Sequence, residues 1–243
     1  MDFGFIRVAA AVPRVKVADV DANVEEMCKL VEQADNEDVS IIAFPELSVT
    51  GYTCGDLFGQ ELLIRKAEEG IKKLKAFSRG KKVTIVAGVP VRVNASLYNC
   101  AAVISNGSLR GIVPKIHLPS YNEFYETRWF SSGSDFLYKA DTAMAPIYDD
   151  AKNCSTPMAG AEIEYAGFKV NVYPNMLFQV GKSTFAVEIC EDLWTPIPPS
   201  SHHALAGADI IVNPDEASVS QIHHQPADFP YHFRVHLQFM RLR

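Results

Sequence analysis

The chain has 243 residues, of which 48% are hydrophobic and 21% charged, with a formal charge of −6 at pH 7. These are the proportions of a globular protein long enough for one large α/β domain, not of a disordered or fibrous chain. The negative charge is mild and spread along the sequence, which argues against nucleic acid or an anionic membrane surface as the main partner, since both select a basic stripe.

The N-terminal stretch MDFGFIRVAAAVPRV carries an acid at position 2 and no basic segment before its short apolar run, so it does not read as a signal peptide. Within it, FIRVAAAV is strand-like. The next segment places Val24, Met27, Cys28, Val31 and Ala34 on one helical face. VSIIAF is then a near-continuous apolar run of the kind found in a strand buried on both faces. A second helix is predicted over about residues 60–79, and VTIVAGV follows as a strand, giving β-α-β-α-β.

Beyond residue 96 the pattern changes to hairpins. LYNCAAVISNGSLRGIVP carries Asn106-Gly107 between two strand-like runs, a strong hairpin signal. Residues 145–180 read as loops and β-ribbons. STFAVEIC and ADIIVN are two further buried strands, with a short helix at SSHHALAGA between them. Alternating strands and helices followed by hairpins predict a layered α/β sandwich. No stretch approaches the roughly 20 apolar residues that span a bilayer.

In such sheets ligands gather at strand ends, and three reactive residues sit there. Glu46 follows IIAFP, Lys115 follows GIVP, and Cys190 ends FAVEI. Cys190 is one of five cysteines, with Cys28, Cys54, Cys100 and Cys154; no CxxC pair occurs. A disulfide framework and a zinc site are both poorly supported, and a reducing cytoplasm is the expected setting. A lone cysteine is more often a buried small hydrophobe than a nucleophile, and a single Glu or Lys is most often a solvated loop residue.

The three together suit attack on an amide. A thiol needs a base to become the attacking thiolate, and a carboxylate such as Glu46 can take that proton and return it to the departing nitrogen. Lys115 and the backbone N–H after Cys190 can stabilise the oxyanion. A thioester would form and then be hydrolysed by water activated by Glu46.

FPELSVTGY, VPKIHLPSYNEFYETRWF and VEICEDLW resemble the three catalytic signatures of the nitrilase (carbon–nitrogen hydrolase) superfamily. More narrowly, TGYTCGDLF after the glutamate, the LPSYxxFxExRWF pattern after the lysine and CEDLW around the cysteine resemble the glutaminase (amidotransferase) domain of glutamine-dependent NAD synthetases, over about residues 6–219. The resemblance implies a nitrilase-like four-layer αββα sandwich with Glu46, Lys115 and Cys190 as the catalytic triad. It also implies Glu126 as the acid that orients the lysine, and Tyr52, Tyr121 and Glu191 as substrate-binding residues. By the same resemblance the substrate is glutamine, and the ammonia passes to a synthetase domain of the ATP pyrophosphatase type that converts deamido-NAD to NAD. No cofactor is expected in this domain, since ATP and magnesium belong to the synthetase domain. A homo-oligomer paired through helices is expected. Lys115 must stay charged while buried, so Glu46, Glu126 and Lys115 are expected to converge on Cys190 in one hydrogen-bonded cluster.

The expected organisation is a single carbon–nitrogen hydrolase domain over residues 1–243, without its last elements and without the synthetase domain. SSGSD at residues 131–135 looks like a phosphate loop but lacks the strand before and the helix after that such a loop needs, so it reads as a surface turn. After IVNPDEASV the family continues differently, whereas here SQIHHQPADFPYHFRVHLQFMRLR follows. His223 and His224 are adjacent and have no partner at ligand spacing, so no metal site is expected. Arg234 is the nearest basic candidate for the substrate carboxylate. Two other functions stay open: a stand-alone amidase or N-carbamoylase of the same superfamily, and a catalytically weak structural or interaction module.

Overall fold

The computed structural model describes residues 6–137, 147–148, 161–217 and 232–239. The first half is built as the periodicity predicts: β1 (Val8–Ala10), α1 (Val20–Asn36), β2 (Ile41–Ala43), α2 (Glu61–Phe77) and β3 (Thr84–Val93). β1, β2 and β3 lie parallel. Helix α1 starts on Asp19, whose side chain accepts the Ala22 N–H at 3.2 Å, the usual service of an N-cap acid. It buries Val20, Val24, Met27, Val31 and Ala34. Cys28, on the edge of that face, is only half-buried.

β4 (Ser96–Ser105) and β5 (Ser108–Pro114) form the predicted hairpin and extend the same sheet antiparallel from β3. Asn106 takes a φ of 44° in the connecting turn, the left-handed region that asparagine tolerates. The described part of residues 145–180 holds the expected β-ribbon and further short strands. β7 (Ala161–Tyr165) and β8 (Phe168–Val172) form a hairpin that joins the first sheet beside β5, and β9 (Leu177–Val180) belongs to a second sheet, with the short β6 (Ile147–Tyr148) beside it. Alternation in EYAGFKV is too short to reveal which sheet the ribbon joins. The first sheet runs β1-β2-β3-β4-β5-β8-β7 among the described residues.

β10 (Ser183–Val187), α3 (Pro199–Leu205), β11 (Ile210–Ala217) and β12 (His232–Phe239) complete the second sheet, ordered β12-β11-β10-β9-β6, with β10 and β11 parallel. Strand alternation explains the layering. Phe185 and Val187 of β10, with Ile210 and Val212 of β11, belong to the main core shared with the first sheet. Ala186 and Ile211 point the other way into a small cluster with Leu177 and Ala208, on the side where α3 packs against β10. On the far side α2 packs on β3 and β4 and against α1. The result is a four-layer αββα sandwich. No helix among the described residues is long and apolar enough to cross a membrane.

Candidate active site

Each of the three strand-end residues is placed by a turn that its sequence permits. Glu46 lies in the turn after β2, which rests directly on β3: Phe44 N–H donates to Val86 O at 2.9 Å and Val49 N–H to Gly88 O at 3.0 Å. A Cβ at Gly88 would overlap the backbone of Pro45 and Leu47 and come within 2.8 Å of the Glu46 carbonyl carbon. Only glycine lets the turn sit that close.

Lys115 directly follows β5. Its N–H donates to Asn99 O at 2.8 Å and its carbonyl accepts the Gly133 N–H at 2.7 Å. That second bond corrects the view of SSGSD as a surface turn. The segment forms a 3-10 helix over Gly133–Phe136 with Gly133 and Phe136 buried, and a Cβ at Gly133 would lie 2.8 Å from both Pro114 O and Lys115 O. It is a buttress under the lysine. Gly133 permits the close approach, and Ser132 donates from Oγ to Ile116 O at 2.5 Å.

Glu126 opens the 3-10 helix Glu126–Arg128. The turn is anchored from outside by Asp56 of TGYTCGDLF, which accepts from Arg128 Nε at 2.8 Å, Arg128 Nη2 at 3.2 Å and Trp129 Nε1 at 3.0 Å. Phe58 packs on Phe130, with ring centroids 4.9 Å apart.

Cys190 begins the 3-10 helix Cys190–Trp194 with a φ of 45°, a conformation uncommon outside glycine and worth inspection where it occurs. Asn213 holds it there, accepting the Cys190 N–H on Oδ1 at 2.7 Å. Asp192 fixes the rest of the turn: its carboxylate accepts the N–H groups of Ile189 (3.0 Å), Ile116 (3.1 Å) and His117 (2.7 Å). One side chain therefore joins the cysteine turn to the backbone just past Lys115.

The structure brings the predicted acids and the lysine together. Lys115 Nζ donates to Glu46 Oε1 at 2.6 Å and to Glu126 Oε1 at 2.7 Å, with the lysine side chain fully buried. Tyr52 OH donates to Glu126 Oε1 at 2.8 Å. Asn99 spans both acids, donating from Nδ2 to Glu46 Oε1 at 2.6 Å and to Glu126 Oε2 at 3.3 Å. Glu46, Cys190 and Asp215 each present a donor atom, all within 4.8 Å of one another. Those donor types suit a thiophilic cation, but the Lys115 ammonium already stands as the positive partner of Glu46. Tyr121 and Glu191 stand at the edge of this core, near enough for Cys190 and Lys115 to act on the Tyr121 hydroxyl. They are hydrogen-bonded to each other, Tyr121 OH to Glu191 Oε2 at 2.8 Å, and Tyr121 is exposed.

Burial and neighbouring charge set the protonation states. Burial pushes the Glu46 carboxyl up to about 8, against the pull of Lys115. Burial alone would lower Lys115, but Glu46, Cys190 and Glu126 outweigh it and hold the ammonium well above the ordinary lysine range. Burial, then Glu46 and Asp215, raise the Cys190 thiol well above its usual range, while Lys115 pulls it down. Burial raises Asp192 to about 7, opposed by the N–H groups of His117 and Ile189. The resting site thus holds a cationic lysine and a neutral thiol.

Sequence reasoning missed Asn99, Asn213, Asp192 and Asp215. Asn99 was detectable as a polar residue at a position where LYNCAAVIS is otherwise apolar. Asp192 stands inside CEDLW and Asp215 inside NPDEAS, where an acid at a turn looks solvated. Asp192 is buried and Asp215 half-buried. His223 and His224 lie outside the described residues. Arg234 is on β12, opposite Asp215 in the β11–β12 register.

The sequence matches the carbon–nitrogen hydrolase family over residues 7–242. It is 30% identical over 213 residues to the glutamine-dependent NAD(+) synthetase of Mycobacterium leprae, a match covering 86% of this chain and 28% of the relative. The crystal structure of a glutamine-dependent NAD(+) synthetase from Cytophaga hutchinsonii superposes with a TM-score of 0.67 at 28% identity, covering 87% of this chain and 30% of that one. An amidase from Nesterenkonia sp. shares the fold, with a TM-score of 0.62 at 13% identity over 89% of this chain and 68% of the other. The chain spans under a third of the length of the synthetases it matches.

Proposed function

The chain belongs to the carbon–nitrogen hydrolase family, and from that premise we propose that it hydrolyses the side-chain amide of glutamine through a thioester on Cys190 and supplies the ammonia for NAD synthesis from deamido-NAD. The observation that carries this is the Lys115 ammonium, fully buried and bridging Glu46 and Glu126 beside a cysteine in a left-handed turn. A buried cation held by two acids next to a thiol is costly to assemble for stability alone. It is well suited to stabilise charge that develops on a substrate oxygen.

Glu46 takes the thiol proton as Sγ bonds to the amide carbon, and the carbonyl electron pair moves to oxygen, facing Lys115 and the backbone N–H of Glu191. The intermediate collapses by breaking C–N as Glu46 returns the proton to nitrogen, releasing ammonia. Water then loses a proton to Glu46, its oxygen adds to the thioester carbon, and C–S breaks with the proton returned to sulfur. Glu126 and Tyr52 keep the lysine aimed. Tyr121 and Glu191, at the exposed edge, are placed to meet the amino-acid end of glutamine. No cofactor enters these steps; ATP and magnesium belong to the synthetase reaction, whose domain is the proposed ammonia acceptor.

Ammonia release from L-glutamine tests the proposal. The chain should release it, more rapidly when a synthetase domain is supplied, and Cys190→Ala should abolish it. Ammonia release that survives Cys190→Ala, or preference for another small amide over glutamine, would contradict it.

A further inference from the structure

Asp215 has no part in the steps above, yet its carboxylate is among the groups nearest the nucleophile. Asn213 and Asp215 are two residues apart on β11, so they share a strand face. Asn213 grips the Cys190 backbone, and the Asp215 carboxylate lies within 4.8 Å of the Cys190 sulfur. One face of one strand thus holds the main chain of the nucleophile and sets a carboxylate beside its sulfur. The second observation concerns Glu46. Its Oε1 is engaged by Lys115 and Asn99, whereas the fully buried Oε2 has no hydrogen-bond partner among the described residues. Buried polar atoms in native proteins are almost always satisfied. An acceptor left open beside the sulfur is an acceptor for a ligand.

We propose that Asp215 is a specificity-determining residue: its carboxylate and Glu46 Oε2 are the two acceptors for the two N–H groups of an unsubstituted carboxamide whose carbon is attacked by Cys190. This rests on the amide hydrolysis proposed above. In a near-attack arrangement the amide carbon sits about 3–3.5 Å from sulfur, and the nitrogen bonded to it falls inside the space bounded by Sγ, Glu46 and Asp215, which lie within 4.8 Å of one another.

The chemistry follows from hydrogen counts. A primary amide nitrogen brings two donors to two acceptors. An ester oxygen brings none and turns its lone pairs toward two carboxylates. In acylation Sγ–C forms, the thiol proton moves to Glu46, and C–N breaks as that proton reaches nitrogen. Asp215 accepts one N–H throughout, which leaves the nitrogen lone pair turned toward the proton on Glu46. The other ionisable groups around the thiol are Lys115, Glu126 and Tyr52 on the inner side and Tyr121 and Glu191 at the edge. Lys115 faces the carbonyl oxygen in the steps above, so no cation is assigned to the leaving atom.

The test compares L-glutamine with the γ-methyl ester of L-glutamate in the parent chain and in Asp215→Asn and Asp215→Ala, with the same synthetase domain present throughout. Both compounds give the same thioester, so the ratio of their kcat/KM values reports the acylation step alone. Asp215→Asn keeps shape and brings an N–H that can donate to the ester oxygen. The amide-to-ester ratio should fall about 10- to 100-fold in it and by a similar factor in Asp215→Ala, in the range that one mismatched polar contact produces. Hydrolysis of both compounds with an unchanged ratio in both variants would overturn the role of Asp215 and leave the glutaminase function standing. Hydrolysis of neither compound by the parent would overturn both.

Discussion

The carboxylate of Asp192 accepts the backbone N–H of His117 at 2.7 Å, across 75 residues of chain. With the bonds from Ile116 and Ile189, it locks the strand end that carries Lys115 to the turn that carries Cys190. Asp192→Ala leaves three N–H groups without their acceptor and should destabilise the chain by about 3–5 kcal/mol, from roughly 1–3 kcal/mol per buried group left unmade with some relief from water. Asp192→Asn retains one acceptor oxygen and should cost about half as much. Urea unfolding measures both, and a loss below about 1 kcal/mol for Asp192→Ala would show that the two segments are positioned independently.

Lys115→Met keeps the aliphatic stem and deletes the charge. Loss of one contact to a developing oxyanion costs on the order of 10²–10³ in rate, and leaving two buried carboxylates uncompensated costs about 3–5 kcal/mol. The folded-state carboxyl of Glu46 is already raised to about 8. A raised acid contributes its stability below its unfolded value near 4.5 and loses it as pH rises through the folded one. Without the Lys115 ammonium that pulls Glu46 down, the folded-state value rises further, so the melting-temperature deficit of Lys115→Met should widen as pH rises above about 8, where the parent's loss from Glu46 has ended and the variant's continues. A deficit that narrows over that range would contradict the charge assignment.

Glu46→Gln and Glu126→Gln remove similar atoms from one network but different functions. Glu46→Gln deletes the base and should lower kcat by on the order of 10³ or more, within the span typical of general base loss. Glu126→Gln leaves Glu46 in place and disturbs only the aim of Lys115, at a cost of about 10-fold to 100-fold. Equal losses in the two variants would mean that the acids act as an interchangeable pair.

The pH dependence follows from Glu46 and Cys190 together. The Glu46 carboxyl is raised to about 8 and the thiol well above its ordinary range, so rising pH supplies more of both the base and the thiolate. Carbamidomethylation of Cys190 by iodoacetamide should rise steadily from pH 6 through pH 9 without a plateau. Glu46→Gln removes a charge that raises the thiol and should shift the rise to lower pH. A plateau already reached at pH 7 would indicate a preformed thiolate.

Much of this site was legible because its residues sit where apolar runs stop. IIAFPE, GIVPK and FAVEIC each announce a buried strand and a reactive residue at its exit, and the structure places Glu46, Lys115 and Cys190 there. Glu126, Tyr52, Tyr121 and Glu191 came only through family resemblance, since nothing in the local pattern of a loop such as YNEFYETRWF distinguishes a buried glutamate from a solvated one. Asn99 and Asp192 act through contacts 53 and 27 residues away, or 75 and 76, and no local period encodes such distances. SSGSD misled for a related reason: small polar residues suit both solvent and close packing, and only the three-dimensional neighbour Lys115 decides between them. The destination of the β7–β8 hairpin is likewise set by the sheet edge that β5 leaves open, a property of the whole fold.

Mass spectrometry after treatment with an electrophilic glutamine analogue tests whether Cys190 is the nucleophile toward a glutamine amide. One adduct per chain is expected, at Cys190, prevented by excess glutamine and absent in Cys190→Ala. Cys54 and Cys100 are buried and Cys28 is half-buried, and none of the three is grouped with acids as Cys190 is with Glu46 and Asp215. Adducts mainly at Cys28, Cys54, Cys100 or Cys154, or an adduct at Cys190 that glutamine does not prevent, would contradict it.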